Sequence, residues 1–422
     1  MGVPYTTLAA SLATILLMLT FGQRSVAGGF QLSDHSITAL GRSQAGYGIV
    51  GDDASAAHFN PAGMSLLKRK QFQLGVAFIQ AEGKFTDTGS TGDNTGKDAD
   101  GAQNSVTPNA YFIFPVSDRV RFGLAITSPF GSNTEYPDNF VGRFNGLKTD
   151  IKTVNLNPSL SYKINDSASI GFGISYQKFD VTLSGAILPT PGASRLTIEG
   201  DSAKLGYNFG AMFSFSDQSR LGISYRSKTD HKIKGKATFS DLSAATNGSV
   251  AASADFTTPE TIYIGYNKPL ADKWKFSLGY RWTRWSRFQQ LNILFPTGVA
   301  SQASTIDAQW NDVKTIALGT DYHLNKQWTL RAGLAFDDSP IPDNTRSVRT
   351  VDADRTWYSL GASYKANKNL QWDFAYRYIE FDNAPVNQTI TRNQGATSLG
   401  SLNGEFNDIN IHTLALQMNY QF

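Results

Sequence analysis

The sequence predicts an all-β protein: a transmembrane antiparallel β-barrel of about 14 strands with a plug in its lumen. Three observations lead there. Segments of alternating apolar and polar residues recur from residue 70 to the end. The connections between them alternate strictly between short polar turns and long loops rich in Gly, Ser, Asp and Asn. The final segment, "HTLALQMNYQF", puts Leu414, Leu416, Met418, Tyr420 and the terminal Phe422 on one face. Past the N-terminus no stretch reaches the roughly 18 consecutive apolar residues of a membrane helix, so none is expected there. Alternation alone also fits a soluble sandwich. Aromatics clustered toward strand ends, the loop lengths and the final strand favour the membrane barrel.

Composition sets the bounds. Of 422 residues only 17% are charged, against the roughly 25% of soluble domains, and 12% are aromatic. A net charge of +3 gives no ground for a nucleic-acid partner. The absence of cysteine excludes a disulfide framework, thiolate catalysis and cysteine metal sites.

The first element is an export signal over residues 1–27. Its apolar core, Leu8 to Phe21, is too short for a membrane span, which needs about 20 residues. Ser25-Val26-Ala27 offers small residues where a signal peptidase cuts, and cleavage is expected after Ala27. Residues 28–69 come next. They show neither a helical stripe nor strand alternation, and Asn60-Pro61-Ala62 lies near their end.

The barrel occupies 70–422. Strands are expected at 70–83, 105–116, 119–128, 150–164, 168–184, 198–216 and 219–230, then at 253–269, 273–289, 307–323, 327–336, 354–366, 369–381 and 407–422. The ninth shows the pattern well. Trp274, Phe276, Leu278, Tyr280 and Trp282 share one face, and Lys273, Lys275, Ser277, Gly279 and Arg281 the other. The strand at 105–116 alternates poorly. Short turns near 116–119, 164–168, 216–219, 269–273, 323–327 and 366–369 suit the periplasmic end. Long loops, among them 84–104, 129–149, 231–252, 290–306, 337–353 and 382–406, suit the outside. An even strand count returns both barrel ends to the periplasm. The chain is therefore placed in the outer membrane of a Gram-negative bacterium, in contact with its lipid. Phe422 is the expected signal to the barrel-assembly machinery.

A barrel of this size has a lumen too wide for its own side chains to fill. The small-residue segment 28–69 precedes the first strand, so it is expected to fold inside as a hatch. Extending the alternation turns Arg121, Lys204, Arg226, Lys275, Arg281, Arg331 and Arg377 inward, with Asp321 and Asp373 facing them. Buried charges need partners, so a lattice of ion pairs is one reading. Binding of a ligand carboxylate by Arg226, Arg281, Arg331 or Arg377 is the other, with Arg143 and Lys148 as loop candidates. His35, His58, His231, His323 and His412 are scattered without metal-ligand spacing. No catalytic residue, metal or cofactor is assigned. The acidic run 89–101 lacks the spacing of a calcium loop and is expected to be a solvated loop.

Several stretches in combination resemble the FadL family of outer-membrane transporters for long-chain fatty acids and other hydrophobic compounds. They are "GGFQL", "LGRSQAG", "DDASAAHFNPAGM", "SPFGSNTEYPDNFVGRF" and "VNLNPSLSY". The resemblance runs from hatch to terminal aromatic. It implies passive uptake, with capture at external loops, an inner pocket, and release sideways at an inward kink in the third strand. Gly123 is the expected place of that kink, the alternative being a small residue that leaves the hatch room. Asn60, Pro61 and Ala62 carry the family's Asn-Pro-Ala element, structural or mobile. Phe30 and Leu32 are apolar residues near the new terminus; packing inside the lumen is one reading, and bordering the pocket and moving when it fills is the other. Fatty acids are the first cargo, hydrocarbons of the TodX-like branch the second. A general diffusion porin competes, but a porin needs no plug.

Overall fold

The computed structural model describes residues 29–190, 192, 194–241, 247–295, 304–392 and 397–422. The export signal and its cleavage site lie outside the described residues.

Fourteen antiparallel crossings form one closed sheet. They are β1 (Gln71–Asp87), β2 (Ser105–Pro115), β3 (Val120–Thr127, resumed at Gly131–Glu135), β4 (Lys148–Lys163), β5 (Ala168–Ala186) and β6 (Arg195–Ser214). Next come β7 (Arg220–Arg226 and Thr229–Ser240), β8 (Gly248–Thr258 and Thr261–Pro269), β9 (Trp274–Thr283 and Gln290–Leu294) and β10 (Ser304–Asp307 and Val313–His323). Last are β11 (Trp328–Asp337), β12 (Arg355–Lys365), β13 (Leu370–Phe381 and Ala384–Arg392) and β14 (Thr397–Gln421). Closure comes from β14 pairing back on β1, with Gln71 opposite Gln421. The Arg69 guanidinium and the Lys70 carbonyl hold Phe422 at that seam.

Alternation does what the pattern required. Leu156, Leu160, Phe172, Ile174, Phe209, Ile316 and Leu414 are exposed on the outer face. Asn155, Asn157, Ser159, Ser161, Ser175 and Gln177, on the same strands, are buried inside. Aromatic pairs ring the short-turn end, Trp274 with Tyr322 and Trp328 with Tyr364, at centroid distances of 4.6 and 4.7 Å.

The wall departs from the sequence expectation in four places. Residues 231–252 and 382–406 are expected as loops, yet most of their length extends β7, β8, β13 and β14 as hairpins. Their inward residues Ile233, Ala237, Val386, Leu402 and Phe406 are buried, and that burial stabilises pairing despite many Ser and Asn. A single 3-10 turn at Trp285–Arg287 interrupts β9, and it buries Trp285 completely. Lys204 is exposed rather than directed into a closed lumen, at a point where β6 lacks a partner strand on its β7 side.

The fourth departure concerns Gly123. β3 passes it with unbroken pairing to Ile113 on one side and Ser159 on the other. No kink lies there. The break comes at Ser128–Phe130: Thr127 faces Asn155 but Gly131 faces Lys152, so one extra residue bulges from β3. On the other side β2 stops pairing with β3 at Ala110, leaving Ser105–Asn109 without a partner across the gap. Gly123 serves the interior instead. A Cβ there would overlap Met64 Sδ and lie 2.9 Å from Ala57 Cβ.

Residues 29–67 are almost wholly buried against inward-facing wall residues. They form two one-turn helices, α1 (Ile37–Leu40) and α2 (Ala56–Phe59), and a 3-10 turn, Pro61–Leu66. Ser36 caps α1 by accepting from the Ala39 amide. Ion pairs tie the segment to the wall. Arg42 bonds Asp52 and Asp321 at 2.8 Å each, Arg331 bonds Asp321 at 2.8 Å, and Arg377 bonds Asp34. Apart from the half-buried Asp52 these charges are buried, and each meets an opposite charge.

Candidate functional site

An apolar cavity lies where the N-terminal segment meets β4, β5, β7, β8 and β9. Phe30, Ile151, Phe179, Ile233, Phe256 and Trp310 are among its walls, and its volume is about 100 Å³. Phe30 is its centrepiece. Its ring stands 4.8 Å from Trp285, 5.5 Å from Trp310 and 5.6 Å from Phe256. The Gly29 amide donates to Asp352 Oδ2 at 3.1 Å, anchoring the chain just before Phe30. Burial pushes the Asp352 carboxyl up to about 6.

β5 explains how the wall builds this cavity. Its inner face runs Gly171, Gly173, Ser175, Gln177, then Phe179, Val181, Leu183. Its outer face runs Ile170, Phe172, Ile174, Tyr176, then Lys178, Asp180, Thr182. The two faces exchange character at 177/178. Above that level the strand stands clear of lipid and turns its apolar side inward.

Beside the cavity, the break in β3 is covered from within by the N-terminal segment. The Leu32 amide donates to Pro129 O and the Gly131 amide to Phe30 O, both at 2.9 Å. His35 Nε2 bonds Ser128 O at 2.8 Å. The segment thus takes the place of the missing strand neighbour. Leu32, His35, His58, Pro129, Phe130 and Arg226 border a second, smaller space there.

The residues singled out from sequence fall into distinct environments. Phe30 lines the apolar cavity and Leu32 the smaller space. Asn60 accepts from the Ala62 amide at 3.1 Å and donates to Ala211 O at 3.2 Å. Ala62 O accepts from Ser161 and Ser169, so Asn60-Pro61-Ala62 rests on β4, β5 and β6. Arg143 is buried with its guanidinium among the carbonyls of Asp93, Thr95, Phe140 and Pro189. Its burial lowers its pKa. Lys148 pairs with Glu135 at 2.9 Å, and Arg281 with Asp337 at 3.3 Å. Arg331 and Arg377 are held by Asp321 and Asp34. Arg226 has no carboxylate partner among the described residues. It bonds His58 O at 2.5 Å, His58 Nδ1 at 3.1 Å and Asn157 Oδ1 at 3.2 Å.

Sequence reasoning missed Trp285, Trp310, Phe256 and Phe179. It also missed Arg349, a loop cation on the rim of the apolar cavity with no ion pair among the described residues. Desolvation lowers the Arg349 pKa to about 10, which leaves it charged at neutral pH. The exchange of faces along β5 was the available signal for the cavity. Nothing local marks Arg349.

The comparisons with known proteins agree with this architecture. A family described as "Outer membrane protein transport protein (OMPP1/FadL/TodX)" matches residues 18–422. Outer membrane protein P1 of Haemophilus influenzae is 30% identical over 456 residues, covering 97% of this chain and 98% of that protein. A long-chain fatty acid transport protein of Escherichia coli is 32% identical over 395 residues, covering 83% and 86%. The crystal structure of a Pseudomonas aeruginosa FadL homologue superposes with a TM-score of 0.84 at 25% identity, covering 93% of this chain and all of that one. The Pseudomonas putida toluene transporter TodX shares the fold, with a TM-score of 0.67 at 15% identity, covering 94% of this chain and 99% of that one. Matched over almost its full length, with a fourteen-strand barrel to carry the match, this chain belongs to the OMPP1/FadL/TodX family of outer-membrane transport proteins.

Proposed function

We propose that the protein is a passive channel for hydrophobic molecules, with long-chain fatty acids as its first cargo. The observation that carries this is the aromatic cavity closed by Phe30 beside a break in the wall. Residues 28–69 act as the hatch. At about 100 Å³ the cavity is smaller than the roughly 300 Å³ at which small-molecule sites begin. A long acyl chain therefore enters only as Phe30 withdraws. Because Gln31, Leu32 and His35 cover the break in β3, the same withdrawal uncovers the exit. Cargo then passes sideways into the bilayer. Each Å² of apolar surface kept from water on that route is worth about 25 cal/mol. Movement of Asn60-Pro61-Ala62 belongs to the same reading. Transport needs no catalysis, and Phe422 serves assembly of the barrel.

Arg349 favours acids over hydrocarbons, since an unpaired cation on an apolar cavity suits a carboxylate. Lys148 is paired with Glu135 and Arg143 is enclosed by four carbonyls away from the cavity, which argues against them. Arg349, by contrast, lines the cavity, and its side chain donates to a single carbonyl, Lys148 O, at 3.2 Å. Hydrocarbon uptake is the second reading, supported by the predominance of Phe, Trp, Ile and Val in the walls. The test is uptake of a labelled long-chain fatty acid and of labelled toluene by cells whose only such channel is this protein. Faster entry of the acid than in channel-free cells supports the first reading. Toluene entry alone supports the second, and entry of neither defeats both.

A further inference from the structure

The smaller space between the aromatic cavity and the break in β3 differs from the cavity in chemistry. It measures about 60 Å³, room for a carboxylate or a few waters. His35, His58, Arg226 and Arg281 contribute polar atoms to it. Arg281 is balanced by Asp337, whereas Arg226 bonds only neutral oxygens and an imidazole nitrogen. An unbalanced cation inside the wall is costly unless something anionic joins it. The two histidines do not supply that charge. His35 is also left with a buried Nδ1 that has no partner.

The rims of the break carry the same signature. Thr107 Oγ1 and Asn109 Oδ1 on β2, Ser128 Oγ on the bulge and both Asn155 amide atoms on β4 are buried without hydrogen-bond partners. Unpartnered buried polar atoms occur elsewhere in the barrel too, but those on the two rims leave groups free to meet a polar visitor passing through the break. Its height fits as well. Arg226 follows Tyr225 and Ile223, which sit on the outer, apolar face, and precedes the charged outer face of Asp230, Lys232 and Lys234. The space thus lies level with the upper edge of the apolar belt, where an amphiphile keeps its head at the interface and its tail in hydrocarbon.

We propose that this space is a head-group station on the exit route: Arg226 holds the anionic head of the cargo while the tail passes through the break into the bilayer. The station makes the exit selective for amphiphilic acids over neutral chains of the same length. This rests on the transport reading above.

The test compares uptake of labelled palmitic acid and labelled hexadecanol by cells whose only such channel is the full-length protein. Arg226→Gln and Arg226→Met remove the charge, and Arg226→Lys keeps it. Heat-modifiable gel mobility checks the fold of each. Loss of one charge-assisted contact predicts an acid-to-alcohol uptake ratio about tenfold below wild type for the first two. The lysine variant recovers most of it. An unchanged ratio in a folded charge-free variant overturns the assignment. So does misfolding of both charge-free variants while the lysine one folds, which would make the cation purely structural. If the wild type carries neither probe, the transport reading itself fails.

Discussion

Gly123 shows how much one missing side chain settles. The residue stands in a regular strand, and its lack of a Cβ admits Met64 and Ala57 of the hatch. Gly123→Val should cost about 1–3 kcal/mol through overpacking, seen as a lower temperature for the heat-modifiable gel shift. Met64→Ala on the same chain should recover part of the loss. Were the valine chain to keep wild-type stability, the close packing of hatch on β3 would be refuted. Asp352 makes a second residue-scale prediction, this time in pH. It lies in the loop between β11 and β12, is fully buried, and shares Arg355 with Asp337. Its carboxyl is raised from 3.8 to about 6 by burial. A raised folded-state value means that the stabilisation is complete below about pH 4 and is lost as pH climbs through 6. Proteolysis within 337–354 should therefore be several-fold faster at pH 7.5 than at pH 5 in the wild type. Asp352→Asn should flatten the difference, and an equal pH response in both would contradict this account.

At the scale of elements, the break in β3 is a matter of register. Four steps from Thr127 to Gly131 oppose three steps from Asn155 to Lys152. Deleting Pro129 restores the match, so β3 can continue straight and pair with Ser105–Asn109. Fatty-acid uptake by the folded deletion chain should drop at least tenfold, to roughly the level without a channel. Retained uptake would move the exit to another part of the wall. The bulge was not legible in the sequence, since Pro129-Phe130 reads equally well as the start of a loop. The pocket was partly legible, because Phe179, Val181 and Leu183 continue the face of Gly173, Ser175 and Gln177. That change of character marks where the barrel leaves the lipid. Strand ends failed where hairpin extensions beyond the lipid, such as 384–392, pack apolar residues inward under a polar exterior.

For the whole molecule, the hatch role proposed for the N-terminal segment makes it a stopper in a tube. Removing residues 29–67 should raise single-channel conductance in a planar bilayer from near zero to porin-like values. It should also lower the unfolding temperature, because Asp321 and Arg377 lose Arg42 and Asp34. Low conductance in the folded truncated barrel would rule out the hatch role. Orientation has its own check. A tag inserted at Gly89, which has open space around it, should be labelled by antibody on intact cells. A tag at Asp166, in a short turn, should be labelled only after the outer membrane is permeabilised, and the opposite pattern would invert the barrel.

The barrel, its fourteen crossings and the separate segment before them were determined by the sequence alone. Each rests on local information: a period of two along a strand, the length of a turn, an aromatic at the last position. Tertiary structure alone decided which inward cations remain unbalanced. Arg377 and Asp34 are 343 residues apart in the chain and in contact in the fold, whereas Arg226, among the described residues, hydrogen-bonds only His58 and Asn157. Alternation turns a side chain inward, but the register of neighbouring strands and the path of the hatch choose what it meets there. The position of the wall break has the same origin, because a bulge is a mismatch between two strands and neither strand carries it by itself.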